Sequence, residues 1–468
     1  MMDASNAKTS WSFPLQEMMV GSLRTPVGGL IARPWFDQVA LQVLARWFFP
    51  LSRLWAAARA ADGSIERYCA EAPMEPAPWL RSMLEPRLKR FETARNGVVD
   101  MEDLWEEAFW GRDTPSDETL KEIEHARLFR RNGYNALRRI FIPLKLRGAV
   151  TPIQWNTPTP SEVEAIYGRF ADDPEAAFRP PEIMPEIVKS RVIETETRRD
   201  YWLRFTSPSA RMNDQTIARV YEPKGVENPP TIILGHGICV EFDHWRGLTD
   251  EAQALAEMGN RVIRPEAPWH GRRVPPGRYG GEQFVATAPL GALDLFTSAV
   301  QEWAVLMHWC RQTTTGPVGI GGTSLGAMTA QLVADKSRYW PQPLHPDALL
   351  LITHCGRIED AVGKGSLARV WGIAERTEAV GWTEDLIARY APLIDPIELP
   401  VMPPETIVSV LGSHDDVTPF DSGQALVDRW AIPEENRFVW RCGHFSVPLA
   451  MLRDHRPLSR FSEILNGL

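Results

Sequence analysis

The sequence lacks the features that mark secreted and disulfide-stabilised proteins. Cysteine occurs only five times in 468 residues, without a repeated short spacing, and an odd number cannot pair completely within one chain. This pattern predicts buried thiols in a reducing, cytoplasmic compartment. The first residues, MMDASNAKTSWSFPLQEMMVGS, have no basic start, no continuous apolar run and no small-residue cleavage site, so no secretory signal is predicted.

A long apolar run is also missing. The most apolar early stretch, residues 35–58, does not supply the roughly 20 consecutive apolar residues of a membrane span, because four residues interrupt it: Asp37, Arg46, Pro50 and Arg53. Its apolar side chains cover much of a helix circumference. This predicts a helix buried against protein, with contact to a membrane surface as the alternative.

Charge of one sign is not concentrated in any part of the chain. The 60 acidic and 51 basic residues give a formal net charge of -9 and are interspersed. Such a balance favours solubility and gives no indication of a nucleic-acid partner. No cluster of His, Cys and Asp has the spacing of a zinc site, and no glycine-rich loop precedes a lysine for phosphate binding. We therefore expect no metal and no cofactor.

The chain is long for one hydrophobic core, which usually stops growing near roughly 250–300 residues. Residues 30–175 have the pattern of helices, including 101–110 and 117–139, separated by proline-bearing connections. A proline cluster, RPPEIMPEI, follows at 179–187 and favours an extended linker. The sequence thus predicts a mainly helical region over 1–185 and a second domain over 186–468.

The second domain has the pattern of strands alternating with helices. Short runs rich in Ile, Val, Thr and aromatic residues predict strands at 191–196, 201–206, 217–221, 231–234, 261–264, 318–320, 348–352, 406–411 and 437–440. Helix-length segments such as 290–311 and 325–335 separate the later strands. This alternation predicts the α/β class, with a mostly parallel sheet and helices on both faces.

The strongest chemical signal is Gly-Thr-Ser-Leu-Gly at 322–326. It directly follows a predicted strand and directly precedes a predicted helix. A serine at the tip of such a turn projects its hydroxyl above the sheet, and flanking glycines avoid collisions there. Ser324 is therefore the candidate nucleophile, and Leu325 can present its amide from the helix start to an oxyanion. An ordinary glycine-rich turn is the alternative.

A serine hydroxyl needs a neighbouring base, and that base needs an acid to hold its ring. His444 lies in the loop after the last predicted strand, in Arg-Cys-Gly-His-Phe, and is the candidate base; a loop histidine with only a structural role is the alternative. The loop after the preceding predicted strand contains two adjacent acids, Asp415 and Asp416. Either position could supply the carboxylate.

From about residue 190 to the end, these motifs resemble the α/β-hydrolase superfamily in identity, order and spacing, with Ser324, an aspartate and His444 in the family's order. The resemblance implies the α/β-hydrolase fold and a serine hydrolase of esterase type. It favours Asp415 as the acid, since Gly-x-x-Asp-x-x-x-Pro is common around that residue. It also implies that Ile238, which follows His-Gly, is the second oxyanion donor.

Other parts of the resemblance are weaker. The segments Asp-His-Trp-Arg at 243–246 and Pro-Trp-His-Gly-Arg-Arg at 268–273 faintly resemble a branch of abhydrolase-domain proteins. His270, in the second segment, is a candidate substrate contact, with a hydrogen-bonded structural histidine as the alternative. His236 is interpreted as structural, and Cys239 and Cys442 as packing residues. The first 180 residues resemble no family.

Two segments are candidates for a cover over the site. Residues 356–400 contain Trp371, Trp382 and Tyr390 and could form a small cap, while the helical region could act as a lid or an oligomerisation element. A covered apolar pocket suits a hydrophobic ester. Cleavage of amides by the same triad is the first alternative, and a catalytically silent relative that binds a small ligand or a protein is the second.

Overall fold

The computed structural model describes residues 33–72, 74, 78–239 and 250–468. The start of the chain and the segment 243–246 lie outside the described residues, so the interpretations of those two stretches are not addressed by the structure. Within the described part, no helix is both long enough and apolar enough to cross a membrane.

A single sheet organises the second half of the molecule. Its strands are β1 (Val188–Lys189), β2 (Ile193–Glu194), β3 (Arg198–Thr206), β4 (Gln215–Pro223), β5 (Thr231–Gly235), β6 (Arg261–Pro265), β7 (Val318–Thr323), β8 (Ala348–Ile352), β9 (Ile407–Gly412) and β10 (Arg437–Trp440). The main path runs β1-β3-β4-β6-β5-β7-β8-β9-β10, and β2 pairs with β3. Strands β6, β5, β7, β8, β9 and β10 are parallel to one another, while β1 to β4 run antiparallel to their neighbours.

Helices occupy the described chain before the sheet: α1 (Pro34–Val43), α2 (Phe49–Ala61), α3 (Ile65–Glu71), α4 (Pro78–Trp110), α5 (Asp117–Ala136), α6 (Ile142–Lys145), α7 (Pro160–Asp172) and α8 (Pro174–Phe178). A π-helical turn, Leu44–Phe48, joins α1 to α2. Two helix starts follow from local sequence: Ser116 accepts from the Thr119 amide, and Thr159 forms a capping box with Glu162.

One helix differs from the expectation. The predicted segment 101–110 is only the end of α4, which continues through Pro86. Proline removes a backbone hydrogen bond and usually interrupts a helix. Here a buried stripe, Leu80, Leu84, Leu88 and Phe91, recurs every three or four residues and packs into the core on both sides of the proline.

The helices among and after the strands are α9 (Glu251–Glu257), α10 (Glu282–Ala286), α11 (Leu290–Thr313), α12 (Leu325–Lys336), α13 (Ile358–Gly363), α14 (Ser366–Trp371), α15 (Ile373–Glu378), α16 (Glu384–Ala388), α17 (Ala391–Ile394), α18 (Phe420–Arg429), α19 (Ser446–Met451) and α20 (Arg456–Asn466). The segment 356–400, expected to form a cap, therefore folds as a series of short helices between β8 and β9.

Both faces of the sheet are covered, as β5 illustrates. Ile233 belongs to the large core that also contains residues of the N-terminal helices, whereas Ile232 and Leu234 belong to the core formed with α9 and α20. Successive residues of a strand point to opposite faces. The expectation of a mostly parallel sheet with helices on both faces, plus an N-terminal helical region, is confirmed, and the N-terminal helices share one continuous core with the sheet.

Candidate active site

The turn between β7 and α12 presents Ser324 at the carboxyl edge of the sheet. Its backbone has φ 56° and ψ -118°, a conformation that is strained for a residue with a side chain. The Ser324 amide donates to the carbonyl of Ile352 at 2.8 Å, so the adjacent strand β8 fixes the turn. Strain held in this way by the surrounding structure is a common property of functional sites.

Glycines allow this turn to approach the neighbouring strand closely. A Cβ on Gly326 would lie 2.7 Å from the backbone nitrogen of His236, and one on Gly235 would lie 2.8 Å from the Cα of Gly326. Neither position can hold a larger residue without a shift of the backbone. The close approach brings the loop after β5 directly beside the nucleophile turn.

Two loops at the same edge carry the candidate base and the candidate acid. The Nε2 atom of His444 lies 3.0 Å from Ser324 Oγ, and its Nδ1 atom lies 2.8 Å from Asp415 Oδ2. All three side chains are buried. With a proton on Nδ1, the imidazole can donate to Asp415 and accept from the serine hydroxyl, which is the arrangement that general-base activation requires.

The acid is itself held by its own loop. Asp415 Oδ1 accepts from the amides of Val417 and Thr418, each at 2.9 Å. The Thr418 hydroxyl lies 2.9 Å from Asp415 Oδ2 and 3.1 Å from His444 Nδ1. Sequence reasoning did not identify Thr418, although it stands inside the Gly-x-x-Asp-x-x-x-Pro motif.

The alternative acid, Asp416, has different partners. Its carboxylate accepts from the Ser366 hydroxyl at 2.9 Å, and its backbone carbonyl accepts from the Ser366 amide at 2.6 Å. These bonds attach the start of α14 to the acid loop. Asp416 thus connects the segment over 356–400 to the site, while Asp415 faces the imidazole.

The surroundings of His444 raise its pKa above the usual value. Burial is the largest influence and by itself lowers this pKa, but the charge of Asp415 and its hydrogen bond oppose burial, and the charges of Asp37 and Asp416 add to them. The net direction is upward. The protonated ring is thereby favoured, a property that suits a general acid–base group.

Comparison with known proteins gives a match within the region that carries the nucleophile. Residues 217–354 match the family model described as "Alpha/beta hydrolase domain containing 18". This range runs from β4 to the loop after β8 and includes Ser324, whereas Asp415 and His444 lie beyond it. Residues 217–354 thus match an α/β-hydrolase domain, and the part of the chain that carries the sheet, residues 188–468, is here called the hydrolase domain. None of the curated proteins compared with the chain matches it.

Solved structures are similar to the hydrolase domain at low sequence identity. Acetyl xylan esterase from Paenibacillus sp. R4 is 14% identical with a TM-score of 0.45, over 67% of this chain and 96% of that chain. Acetyl xylan esterase 1 from Thermoanaerobacterium sp. JW/SL YS485 is 15% identical with a TM-score of 0.42, over 66% and 96%. An S-formylglutathione hydrolase from Agrobacterium tumefaciens is 17% identical with a TM-score of 0.39, over 60% and 99%.

The two candidate oxyanion donors, Leu325 and Ile238, lie on the two segments that meet at the Gly235–Gly326 contact. Leu325 is the first residue of α12, where a backbone N–H has no acceptor within the helix. Ile238 lies in the loop after β5, just before Cys239, whose φ is 60°. A Cβ on Gly281 would lie 2.8 Å from Ile238 Cγ1, so the backbone at Gly281 packs tightly against this loop.

Two histidines support that loop from within the hydrolase domain. His270 is fully buried; its Nδ1 lies 2.9 Å from the Pro268 carbonyl, and its Nε2 accepts from the Cys239 amide at 3.2 Å. Direct contact with substrate would require the ring to leave these bonds. His236 accepts from the Ala267 amide, and burial, together with the neighbouring His270, lowers the pKa of His236 to about 3.

The N-terminal helices contribute to the surroundings of the site. Phe49 of α2 stacks on Tyr279 with ring centroids 6.4 Å apart and meets Trp371 of α14 edge-on at 5.2 Å. A buried ion pair of 3.0 Å between Arg53 and Glu282 attaches α2 to the segment after β6. The aromatic cluster Phe49, Tyr279 and Trp371 therefore joins α2, the segment after β6 and α14.

Proposed function

We propose that the chain is a serine hydrolase that cleaves the carboxylic ester of a hydrophobic small molecule through a Ser-His-Asp triad. The observation that carries the proposal is the continuous hydrogen-bonded path from Ser324 Oγ to His444 Nε2 at 3.0 Å and from His444 Nδ1 to Asp415 Oδ2 at 2.8 Å. Nucleophile, base and acid are thus within reach of one another in the order that acyl transfer needs.

In the proposed reaction, His444 takes the proton of Ser324 as Oγ bonds to the ester carbonyl carbon. The amides of Leu325 and Ile238 donate to the oxyanion that forms, where each donor contributes on the order of 3 kcal/mol. Collapse breaks the bond to the alcohol oxygen, which leaves with the proton from His444. The base then takes a proton from water, whose oxygen attacks the acyl-enzyme and releases the carboxylic acid and free Ser324.

The expected substrate class rests on the apolar residues of the segments that adjoin the donor and acid loops. The aromatic cluster Phe49, Tyr279 and Trp371 is buried and apolar, and Ile238 adds an aliphatic side chain on the donor loop. Large aromatic side chains favour ligands that offer apolar area for burial. We therefore propose an ester with a hydrophobic acyl or alcohol group.

The test is labelling by a fluorophosphonate, which reacts with activated serines, followed by peptide mass spectrometry. We expect the label on Ser324 in the wild-type protein and its loss in Ser324→Ala. Ser82→Ala, which changes an exposed serine of α4, is the matched control and should label as the wild type does. The absence of label on folded wild-type protein would contradict the proposal and favour a silent relative with a binding role.

A second stage separates esters from amides. Wild-type protein is assayed against esters graded by acyl chain length and aromaticity and against the matching amides. We expect turnover of esters that increases with apolar area and is absent in Ser324→Ala. Turnover of amides without turnover of esters would replace the ester proposal with the amidase alternative.

A further inference from the structure

The loop that carries His444 is bound by a carboxylate from the opposite end of the chain. Asp37, in helix α1, accepts from the amide of Gly443 at 3.1 Å with Oδ2. Its Oδ1 accepts from the amides of Phe445 at 2.6 Å and Ser446 at 3.1 Å. The Ser446 hydroxyl donates to Oδ2 as well. These partners stand on both sides of His444 and are 406 to 409 residues away from Asp37 in sequence.

The arrangement is specific for a small, acceptor-only side chain. All four partners of Asp37 are donors, so an ionised carboxylate satisfies them, whereas an amide would direct its own hydrogens at some of them. Asp37 is buried. A Cβ on Gly443 would lie 2.5 Å from Asp37 Cγ, so the glycine permits the carboxylate to reach the backbone of the loop.

We propose that Asp37 is a positioning residue for the catalytic base: helix α1 holds the loop 443–446 so that His444 stays in line between Ser324 and Asp415. This inference rests on the proposed function and deepens it, because it makes the N-terminal helical region a part of the active site. A buried carboxylate that accepts charge-assisted bonds on both sides of a histidine restricts the backbone from which the ring projects.

The same carboxylate acts on the charge of the base. His444 becomes an imidazolium during each half of the reaction, and Asp37 is one of three carboxylates that favour the protonated ring, with Asp415 and Asp416. Loss of the Asp37 charge removes that contribution. The pKa of His444 then falls, so the acidic limb of the rate profile moves to lower pH while the plateau rate decreases.

The experiment uses the full chain with Asp37→Asn and measures the rate of Ser324 labelling by a fluorophosphonate as a function of pH. We expect the plateau to fall by about ten- to a hundred-fold, the size of loss that a small misplacement of a reacting group produces. We also expect the acidic limb at lower pH than in the wild type. An unchanged plateau and limb in folded protein would overturn the proposal.

The matched control is Asp294→Asn. Asp294 of α11 is also a buried carboxylate, and it joins the hydrolase domain to the helical region by accepting from the Tyr167 hydroxyl of α7. It also accepts from Arg211, and it does not contact the loop 443–446. It should lower thermal stability without changing the acidic limb or the labelling rate of the remaining folded protein. An equal loss of labelling rate in both variants would indicate that Asp37 contributes only to general stability. That result would overturn the positioning role.

Hydrogen exchange of the amides of Gly443, Phe445 and Ser446 separates this inference from the proposed function. Faster exchange in Asp37→Asn than in wild type supports the role of Asp37 even if wild-type Ser324 fails to label, an outcome that would contradict the proposed function alone. If wild-type Ser324 labels normally but these amides exchange at the same rate in Asp37→Asn as in wild type, the Asp37 inference alone would be overturned.

A second variant keeps the test open if Asp37→Asn does not fold. Gly443→Ala places a Cβ against Asp37 and should reduce labelling and shift the acidic limb in the same direction. Unchanged labelling and an unchanged acidic limb in folded Gly443→Ala would overturn the proposal, because the added methyl would lie 2.5 Å from Asp37 Cγ.

Discussion

The nucleophile turn and the histidine loop reach the same site by different means. The turn at 322–326 is held within its own strand-turn-helix unit and by the strands beside it, with glycines where backbones approach. The loop at 443–446 leads into α19, where the Val447 amide donates to the Gly443 carbonyl at 3.2 Å. It is held by Asp415, 29 residues earlier, and by Asp37, which precedes Gly443 by 406 residues.

The two regions therefore tolerate different kinds of substitution. In the turn at 322–326, a few adjacent residues determine the backbone conformation, so a substitution there changes backbone packing. A loop that is fixed from outside depends on partners from distant elements, so substitutions act mainly on orientation and charge. The two regions should therefore respond differently to loss of the acid that faces the loop, to added bulk in the turn and to a change in the ionisation of His444.

The largest effect is expected for Asp415→Asn. The amide cannot hold the imidazole in the tautomer with its proton on Nδ1, so the rate of ester hydrolysis should fall by on the order of 10⁴-fold. Steady-state kinetics measure this loss. Asp416→Asn is the matched control, because Asp416 bonds Ser366 instead of the imidazole; an equal loss in that variant would contradict the assignment of Asp415 as the acid.

The nucleophile turn should respond through packing. In Gly326→Ala, the new methyl would lie 2.7 Å from the backbone nitrogen of His236, and overpacking of this kind costs about 1–3 kcal/mol of unfolding free energy. Chemical denaturation measures the cost. In Gly363→Ala, at the end of α13, the methyl meets no atom within 4 Å, so its stability should stay at the wild-type level or rise slightly.

The smallest expected effect is a shift of the pH profile. In the proposed reaction only neutral His444 can take the serine proton, and the pKa of His444 is raised in the folded protein. The rate should therefore decrease on acidification from a higher pH than an unperturbed histidine would give, with half-maximal kcat/KM above about 6.5. A profile of kcat/KM against pH measures the midpoint. A rate that stays flat down to pH 5 would contradict His444 as the base.

Much of the second half of the molecule follows from sequence. The predicted strands at 348–352 and 437–440 have the bounds of β8 and β10, and the other strands of the parallel part differ by up to three residues at their ends. These strands are short apolar runs next to turn residues, which is a local signal. At the edge of the sheet, the predicted residue His444 lies within hydrogen-bonding distance of both Ser324 and Asp415, because parallel strands end together.

Tertiary structure alone decided the contributions of the N-terminal half. The sequence determined that this half is helical and that a Ser-Asp-His order follows it, since both are carried by residues close together in the chain. It gave no signal that α4 continues through Pro86 or that Asp37, which only interrupts an apolar stretch in sequence, binds the loop of His444. Those outcomes depend on burial and on pairing between residues hundreds of positions apart, which no local pattern encodes.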